Sequence, residues 1–490
     1  MSNDQRPAEP ALSGATKTLL GRKSDWTPGF APFPGVRNLL GPLLIIATFA
    51  LSALPFLGML EQPGDDALGL LVGTESILAM SWTFVLAIRT RWSEWLFGGL
   101  DRVYVAHRWL GVVAVVLMWW HIQSSNQVTG VPGANPAAAE FGTTLAGIAE
   151  PTLYLLVLVS VLRWLPWRLW RLTHKLLIIP FGFAAYHMVT AEKPFGNFSA
   201  WGLWFSIVIA AGILGYLIRV VGRDAIWRGS PYRIAELIPH PGAVEILLTP
   251  QGRPLSWKPG QFAFLKLQVP GLSEPHPFSI ATDPQRPGLR FMVRRLGDWT
   301  DQLEDAVAVG DRAFVEGPYG QLRIFPAGSP RRTVWIAGGV GITPFLAALQ
   351  QLPGASGQEP PILIHAVRNE DSAHARSEVE AAAAQGRIEL HYFDSDAGRP
   401  LTEQSLLQEL GPSGLRGAHV VLCGPVKMTR WLRRLARRQD AKHVESEIFD
   451  LRGGIAPDLS RVIGPRLNRM PLARLLSEAR IWLRSGRGPN

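Results

Sequence analysis

The stretch VYVAHRWLGVVAVVLMWWHI, residues 103–122, is an apolar run that carries His107 near its start and His121 near its end. About 20 such residues form a helix that crosses the ~30 Å hydrocarbon core of a bilayer. At 1.5 Å per residue the two imidazoles lie about 21 Å apart along that helix, one near each membrane face. Because an ionisable side chain at bilayer depth costs several kcal/mol unless it is paired or ligated, we interpret both histidines as functional.

A second apolar stretch, residues 170–190, repeats this arrangement with His174 and His187. The first 239 residues contain no histidine besides these four. Equal depth predicts that His107 pairs with His174 near the cytoplasmic face and that His121 pairs with His187 near the outer face. Two such pairs are typical of bis-histidine ligation of the iron in two stacked b-type haems. The alternative is four interior histidines bonded to carbonyl groups.

The rotation of the histidines about the helix axis is less favourable for His174 and His187, on the second stretch, than for His107 and His121, on the first. On an ideal helix a spacing of 14 residues leaves His107 and His121 about 40° apart, whereas 13 residues leave the second pair about 140° apart. Pro180 and Gly182 lie between the histidines of the second pair. We therefore expect a proline kink that re-aims one of the two imidazoles.

Hydropathy and charge predict an integral membrane protein with six spans and with both termini in the cytoplasm. Lys and Arg number five in the N-terminal tail, three in residues 89–102 and four in 163–175, whereas residues 58–66 and 123–150 contain none. Cytoplasmic segments carry the excess of Lys and Arg, which sets this orientation. No signal peptide precedes Leu39, so we expect it to begin a retained helix. The predicted spans are residues 39–60, 67–88, 103–122, 152–165, 170–190 and 200–222.

The composition excludes several classes of protein. The single cysteine, Cys423, rules out a disulfide framework and any cysteine-ligated iron–sulfur cluster, which needs several thiolates. The net charge of +10 is concentrated beside the apolar stretches and in the C-terminal tail, which favours a lipid membrane over nucleic acid as the partner. Residues 453–490 contain seven arginines and two acidic residues. A helix on anionic lipid and a disordered tail explain this tail equally well, and we assign it no catalytic role.

The second half of the chain reads as two soluble domains. Short alternating segments such as Val244 to Leu248 and Leu289 to Val293, separated by Pro and Gly, predict an antiparallel β-barrel. Buried strands alternating with helices then predict an α/β domain with a parallel sheet that binds a nucleotide at its carboxyl edge. The fold class is therefore multidomain: a six-helix transmembrane bundle, an antiparallel β-barrel and an α/β parallel-sheet domain. We divide the chain into a cytoplasmic tail (1–38), a membrane domain (39–222), a barrel (231–328), a parallel-sheet domain (331–452) and a basic tail (453–490).

A glycine-rich loop follows the first strand of the parallel-sheet domain. It contains Gly338, Gly339 and Gly341, and it is followed by Thr343 and Pro344. The glycines allow the backbone to approach a pyrophosphate group. We expect Thr343 to be the N-cap of a helix and Pro344 its first residue.

Four motifs in order, His276-Pro-Phe-Ser-Ile280, Gly317-Pro-Tyr-Gly320, the glycine-rich loop and Cys423-Gly-Pro425, resemble those of the ferredoxin reductase superfamily. Joined to six helices with paired histidines, they make the chain similar to the ferric reductase and NADPH oxidase family over about residues 40 to 452. The resemblance implies FAD on the barrel and NAD(P)H on the parallel sheet.

This resemblance also implies roles for individual residues at the flavin. Ser279 would bond the flavin ring near its reactive nitrogen, and Phe278 would pack on the ring system. For the segment from Arg294 to Thr300, the alternative is a hairpin with surface cations. The residues that match the FAD-binding segments are His276, Pro277, Phe278, Ser279, Arg294, Gly297, Trp299 and Thr300.

At the nucleotide, the resemblance implies that Cys423 lines the nicotinamide pocket, although a small buried residue ending a strand is the alternative. Glu447 and Phe449 match the segment whose aromatic ring covers the flavin. Arg368 could meet a 2′-phosphate or stack on adenine, which leaves NADH and NADPH both open. The residues expected at NAD(P)H are Gly338, Gly339, Gly341, Thr343, Pro344, Arg368, Cys423, Gly424 and Pro425.

The resemblance thus implies a transmembrane flavohaem oxidoreductase that carries electrons from NAD(P)H through FAD and two haems to dioxygen or ferric iron on the outer face. Two alternatives remain open: a haem-containing subunit that passes electrons to a separate redox partner protein, and a haem-free membrane anchor for a flavin reductase. Residues 123–150 contain no Cys or His. The absence of a ligand cluster there does not separate oxygen from ferric chelates as the acceptor.

Overall fold

A computed structural model describes residues 37–57, 67–124, 131–161, 165, 167–226, 229–325, 332–353 and 359–446. The basic tail at 453–490, Glu447 and Phe449, and nearly all of the N-terminal tail lie outside these described residues. The described part consists of long apolar helices, then a curled antiparallel sheet, then a parallel sheet with helices.

Five helices in the described part are long and apolar enough to cross a membrane. The last of them continues from Leu217 into a π-helical segment, Ile218–Ile226, which leads towards the first strand. A short helix in the loop after the second span contacts the soluble half. The helices are α1 Arg37–Leu57, α2 Ala67–Ala87, α3 Arg91–Phe97, α4 Leu100–Ser124, α5 Pro136–Val161, α6 Trp167–Lys175, α7 Ile178–Thr190 and α8 Ala200–Leu217.

The fifth predicted span is not one continuous helix, so six unbroken spans are not confirmed. It is divided at Leu176 and Leu177 into α6 and α7. Pro180 explains the position of the break, because its ring excludes a helical hydrogen bond to the carbonyl of residue 176, four positions earlier. The proline itself lies in the first turn of α7, where a missing N–H is tolerated.

The fourth span begins earlier than the predicted residue 152. Its helix, α5, starts at Pro136, and the Asn135 side chain accepts a hydrogen bond from the Ala138 N–H at 2.8 Å as a cap. Polar residues hid this start in the hydropathy pattern. Thr143 and Thr144 nevertheless fit the helix, because their hydroxyls donate to carbonyls four residues earlier.

The antiparallel sheet has six strands in the order β4-β3-β6-β1-β2-β5. Within residues 229–325 its edge strands β4 and β5 are joined only by the isolated bridge between Ile280 and Phe291. The sheet is therefore a curled half-barrel and not the closed barrel that was predicted. Its inner face is filled by buried side chains such as Ile246 and Leu265. The strands are β1 Ser230–His240, β2 Ala243–Pro250, β3 Phe262–Leu267, β4 His276–Ser279, β5 Leu289–Arg294 and β6 Arg312–Tyr319.

The parallel sheet has five strands in the order β11-β10-β7-β8-β9. Its central strands are buried on both faces, as expected where helices cover a parallel sheet. Trp335 on β7 stacks on Phe345 in the core at 5.4 Å between ring centres. The elements are β7 Thr333–Gly338, β8 Ile362–Val367, β9 Glu389–Asp394, β10 His419–Cys423 and β11 His443–Ser446, with helices Thr343–Leu349, Arg376–Ala384, Glu403–Leu410 and Val426–Arg438.

Candidate functional site

The structure brings His107 of α4 and His174 of α6 together at the end of the membrane helices that adjoins the antiparallel sheet. Their ring centres lie 6.0 Å apart. His107 Nδ1 lies 2.9 Å from the carbonyl oxygen of Thr83, so this nitrogen is the donor and Nε2 is left free. His174 Nδ1 lies 3.0 Å from Ser160 Oγ, whose own hydrogen is donated to a carbonyl. The hydroxyl therefore accepts from Nδ1, and again Nε2 is left free.

The second pair, His121 of α4 and His187 of α7, lies near the other end of the membrane helices. His121 Nδ1 donates to the Gly69 carbonyl at 2.8 Å, which leaves Nε2 free here as well. A side chain at Gly73 would come within 2.6 Å of this ring, so the glycine makes room for His121. His187 of α7 lies within electrostatic range of His121, and its buried Nδ1 has no hydrogen-bond partner within the described residues.

These four imidazoles fit the chemistry of two bis-histidine haems. Neutral imidazole with one nitrogen anchored by a carbonyl is the usual form of a metal-ligating histidine. A metal bonded at about 2 Å to each of two facing imidazoles requires ring centres about 6 Å apart, as in the first pair. Groups of three or more metal-ligating side chains do not occur among the described residues, so two ligands from the chain and four from a macrocycle suit each pair better than a free ion does.

A polar junction connects the membrane helices to the antiparallel sheet, and sequence reasoning missed it. The Arg91 guanidinium donates to the Gly317 carbonyl at 3.2 Å, and the Gly320 N–H donates to Glu94 Oε1 at 2.6 Å. The Tyr319 hydroxyl lies 3.2 Å from the carbonyl oxygen of Arg89. The predicted flavin motif Gly317-Pro-Tyr-Gly320 is thus held against the loop between α2 and α4.

Glu316 is the charged centre of this junction. Its carboxylate lies 2.6 Å from Arg223, 3.7 Å from the buried Arg89 and 2.7 Å from the Tyr319 hydroxyl. The Arg89 guanidinium also lies 4.2 Å from the ring centre of Phe264. Burial alone would raise the pKa of Glu316, but Arg89, the Tyr319 hydroxyl and Arg223 together hold that pKa below its ordinary value. Glu316 is therefore ionised and paired in the folded protein.

Glu94 behaves in the opposite way. Burial and, to a smaller extent, the charge of Asp101 raise the pKa of its carboxyl from 4.5 to about 7, against the opposing effects of the hydrogen bond from Gly320 and the charge of Arg91. Between these two pH values the folded protein binds more protons at Glu94 than the unfolded chain does. Stability therefore falls as pH rises through this window and stays low above it. The effect is up to about 3 kcal/mol at about 1.4 kcal/mol per pKa unit.

We predict that Glu94→Gln removes much of the loss of stability between pH 5 and pH 8. The amide oxygen still accepts the hydrogen bond from Gly320, but the side chain no longer ionises. Thermal unfolding of the purified chain in detergent at both pH values measures the effect. Glu236→Gln, at an exposed position on β1, is the matched control and should keep the wild-type pH dependence. A Glu94→Gln protein that lost as much stability as wild type would contradict the prediction.

The predicted flavin residues cluster at the edge strand β4. His276 and Phe278 on this strand pack on Trp299, with ring centres 4.4 Å and 5.8 Å apart. The Trp299 indole is buried and donates to the Leu272 carbonyl at 3.2 Å. Trp299 thus supports β4 from inside the sheet, which is a packing role that the sequence did not predict for it.

The remaining residues of this segment form a turn after β5. The Thr300 hydroxyl accepts from the Leu296 N–H at 2.8 Å and lies 3.0 Å from the Gly297 carbonyl. Gly297 has φ 152°, and no atom lies within 4 Å of the position a side chain would take. Arg294, at the end of β5, is exposed. The turn therefore presents open backbone and an exposed cation beside β4, which are features that suit an anionic ligand.

The glycine-rich loop and the Cys423-Gly-Pro425 motif are in direct contact at the carboxyl edge of the parallel sheet. A side chain at Gly341 would come within 2.4 Å of the Cys423 carbonyl oxygen, and one at Gly338 within 2.7 Å of Pro425. A side chain at Gly424 would come within 3.0 Å of the Gly338 backbone. These glycines are required by the close approach of two loops. His365 on β8, another residue that sequence reasoning missed, lies with Nε2 3.0 Å from the Gly339 carbonyl and supports the loop.

The predicted helix cap at Thr343 is wrong. Gly339–Ile342 forms a 3₁₀ turn, and the helix that follows starts at Thr343 itself with Pro344 as its second residue. The Thr343 hydroxyl donates to the Val340 carbonyl at 3.1 Å instead of accepting from the helix backbone. The side chain is buried in the domain core, so packing decides its orientation.

A second ion network joins the two soluble domains. Arg290 on β5 pairs with Glu245 on β2 and with Glu378 of the parallel-sheet domain, each at 2.6 Å. Glu378 also accepts from the Gln350 side chain at 2.8 Å. This network connects β2 and β5 of the antiparallel sheet to the helix Arg376–Ala384 and to the end of the helix Thr343–Leu349 in the parallel-sheet domain. Its residues are far apart in the sequence, and no local pattern marks them.

Three regions of the chain match known protein families. Residues 72–185 match the ferric reductase like transmembrane component, residues 241–323 match an FAD-binding domain, and residues 335–434 match an oxidoreductase NAD-binding domain. They follow one another in the order of the resemblance drawn from the sequence, which they confirm.

Relatives with curated descriptions are similar to parts of the chain. The probable cell surface ferric reductase kap2 of Aspergillus oryzae is 26% identical over 349 residues, 64% of this chain and 44% of the relative. The probable respiratory burst oxidase homolog protein I of Arabidopsis thaliana is 26% identical over 203 residues, 37% of this chain and 21% of the relative. A flavohemoprotein of Deinococcus radiodurans is 34% identical over 162 residues, 31% of this chain and 40% of the relative. The chain spans between 40% and 56% of the length of the first relatives it matches.

Among solved structures, the flavohemoglobin from Malassezia yamatoensis aligns with 78% of this chain and 96% of its own, at 19% identity and a TM-score of 0.44. The Amycolatopsis cytochrome P450 reductase GcoB aligns with 45% of this chain and 70% of its own, at 24% identity and a TM-score of 0.40. TM-scores below 0.5 carry no further argument.

Proposed function

We propose that this chain, which joins a ferric reductase-like transmembrane component to an FAD-binding and an NAD-binding domain, moves electrons across a membrane. Cytoplasmic NAD(P)H is the donor, FAD and two bis-histidine haems are the carriers, and a small acceptor on the outer face, dioxygen or ferric iron, is the substrate. Both termini are cytoplasmic, and the divided fifth segment crosses the membrane as α6 and α7 together.

The observation that carries this proposal is a series of contacts that leads from β4, the proposed flavin strand, towards the inner histidine pair, His107 and His174. Ser279 on β4 pairs in register with Phe262 on β3, whose ring lies 5.9 Å from that of Tyr319. The Tyr319 hydroxyl touches the carbonyl of Arg89. Arg89 follows α2, the helix whose Thr83 carbonyl anchors the His107 ring. A short packed path therefore connects the proposed flavin site with the proposed inner haem site.

When bound, FAD accepts a hydride and releases single electrons, and the haems conduct those electrons. The chain supplies position and charge for this chemistry. Ser279 is proposed to hydrogen-bond the flavin ring and Phe278 to pack on it, while Arg294 and the turn with Gly297 and Thr300 bind the pyrophosphate. The four Nε2 atoms are proposed as the axial ligands, and at His107, His121 and His174 the Nδ1 partner fixes the ring orientation.

The nucleotide site is proposed at the carboxyl edge of the parallel sheet. The backbone of Gly339 is proposed to approach a pyrophosphate, because no atom lies within 4 Å of the position a side chain would take there, and Gly338 and Gly341 allow the loop to pack against the Cys423-Gly-Pro425 motif. Cys423, buried at the end of β10, is proposed to line the nicotinamide pocket together with Gly424 and Pro425. Glu447 and Phe449 remain proposed flavin-covering residues outside the described part of the chain.

The absorption spectrum and the acceptor test this proposal together. The full chain, produced with ample haem and purified into nanodiscs, should show a Soret band with about two haems for each flavin. NADH or NADPH should then reduce both haems without oxygen and produce superoxide in air. In sealed vesicles that enclose the nucleotide, an external membrane-impermeant ferric chelate that suppresses superoxide and is itself reduced would identify iron as the acceptor.

The opposite results separate the alternatives. A flavin-containing protein with no Soret band would leave only a haem-free anchor for a flavin reductase. A protein whose haems are reduced but pass electrons neither to oxygen nor to ferric chelates would be a subunit that serves a separate redox partner protein.

A further inference from the structure

The carboxyl end of the parallel sheet is divided into two halves around β7. Strands β8 and β9 lie on one side, and β10 and β11 lie on the other. In open α/β sheets a dinucleotide binds in the crevice outside the carboxyl ends of the strands, where the strand order reverses. Because the proposed function assigns the Cys423 pocket on β10 to nicotinamide, the adenosine half of the nucleotide lies over the ends of β8 and β9.

The ends of β8 and β9 are tied together by their backbones. The Ser395 N–H donates to the Val367 carbonyl at 3.2 Å, and the Asp396 N–H donates to the Arg368 carbonyl at 2.8 Å. These bonds bring the two charged side chains together, with Arg368 Nε 3.7 Å from Asp396 Oδ2. The Arg368 side chain is 83% exposed and that of Asp396 is 52% exposed, so a ligand can reach both.

The cations around these strand ends already have carboxylate partners. Arg376, at the start of the helix after β8, bonds to Glu370. Arg399, after β9, pairs with Glu409 at 3.2 Å. Asp371 adds a further exposed carboxylate in the turn after β8. A doubly charged anion at this edge would lie near several carboxylates and would have to displace Asp396 to pair with Arg368.

The two nucleotides differ in this part of the molecule. A 2′-phosphate requires cations that are free to pair with it, whereas a ribose 2′-hydroxyl requires a hydrogen-bond acceptor such as a carboxylate. We propose that this chain selects NADH over NADPH and that Asp396 determines the choice, by accepting a hydrogen bond from the 2′-hydroxyl and by repelling a 2′-phosphate. The proposal rests on the proposed function, because that function places the nucleotide on this sheet.

Steady-state kinetics of the purified full chain with ferricyanide as acceptor test the proposal. The expected kcat/KM for NADH exceeds that for NADPH by roughly tenfold or more, which is the effect of one unfavourable charge contact. Asp396→Asn should reduce this ratio by roughly tenfold, chiefly by lowering the KM for NADPH. The same variant should bind 2′-phosphorylated ADP more tightly as a competitive inhibitor, with little change for ADP.

Glu389→Gln, at the opposite end of β9, is the control and should leave the ratio unchanged. Wild-type preference for NADPH, or an unchanged ratio in Asp396→Asn, would overturn the proposal. Failure of the proposed function has a different signature, because ferricyanide accepts electrons at the flavin. A protein without a Soret band that still prefers NADH would refute the haem route and support Asp396 as the determinant. Two haems with a preference for NADPH would do the reverse.

Discussion

Replacement of His121 by alanine is expected to remove one of the two haems and to stop electron delivery to the outer face. The Soret absorbance for each flavin should fall by about half, because His121 supplies one of two axial ligands at its level. Loss of groups that merely orient a ligand costs about 10- to 100-fold, so loss of the ligand itself should slow reduction of an outer acceptor by roughly 100-fold or more. NADH-driven reduction of ferricyanide, which needs only the flavin, should remain near wild type.

Two measurements on purified nanodisc samples check this result: the visible spectrum with flavin content, and the ratio of superoxide formation to ferricyanide reduction. His443→Ala is the control, since this histidine is exposed on β11 in the soluble half. It should keep both haems and both activities. If the His121→Ala protein kept its full Soret absorbance and its outer-face activity, His121 would be an interior histidine bonded to Gly69 and nothing more.

Glu316→Gln is expected to disrupt the junction between the membrane helices and the flavin-bearing sheet. Arg89 is only 3% exposed and Glu316 10% exposed, so the substitution removes the negative charge that compensates a buried cation. Breaking a buried pair in this way costs about 3–5 kcal/mol. We expect a lower melting temperature and, in anaerobic stopped-flow experiments, normal reduction of the flavin by NADH followed by haem reduction slowed by roughly tenfold or more.

A double substitution separates the effect of an uncompensated buried charge from the effect of a displaced flavin site. In Arg89→Met with Glu316→Leu the most buried cation and its carboxylate are both absent, and only the partly exposed Arg223 loses its partner, so part of the stability should return, since apolar replacement of a buried pair is often neutral. Glu304→Gln is the control, because Glu304 pairs with Arg295 at the surface, where such pairs contribute about 0–1 kcal/mol. Haem reduction as fast as wild type in Glu316→Gln would show that the junction does not hold the flavin site in position.

Local patterns predicted the parts of the site that lie within one helix or one loop. Depth along two apolar stretches was enough to pair His107 with His174, because the rise per residue of a helix is constant. The glycine-rich loop and Cys423 were recognisable because close approach of backbones requires residues without side chains. In each case the physical requirement produces a pattern within one stretch of the chain, either histidines at a fixed depth in an apolar helix or glycines in one short loop.

Long-range contacts and competition from packing explain what the sequence did not predict. The bond between Glu94 and Gly320 joins residues 226 positions apart, and neither belongs to a pattern that requires the other. Thr343 has the composition of a helix cap, but burial in the core gave its hydroxyl a different partner. Hydropathy missed the start of α5 because Thr143 and Thr144 count as polar residues, although their hydroxyls donate to carbonyls of the same helix and so are compatible with lipid.

Because the helix is interrupted at Leu176 and Leu177, His174 and His187 lie on two separate helices, α6 and α7. The expected angular mismatch between these histidines assumed one rigid helix, and with two helices the azimuth of each imidazole is independent of the other. Insertion or deletion of one residue at the interruption would turn the inner ligand while the outer ligand kept its direction. Under the proposed function, the two haem irons could therefore acquire different electronic properties through changes on one side of this interruption, as electron transfer from a lower to a higher reduction potential requires.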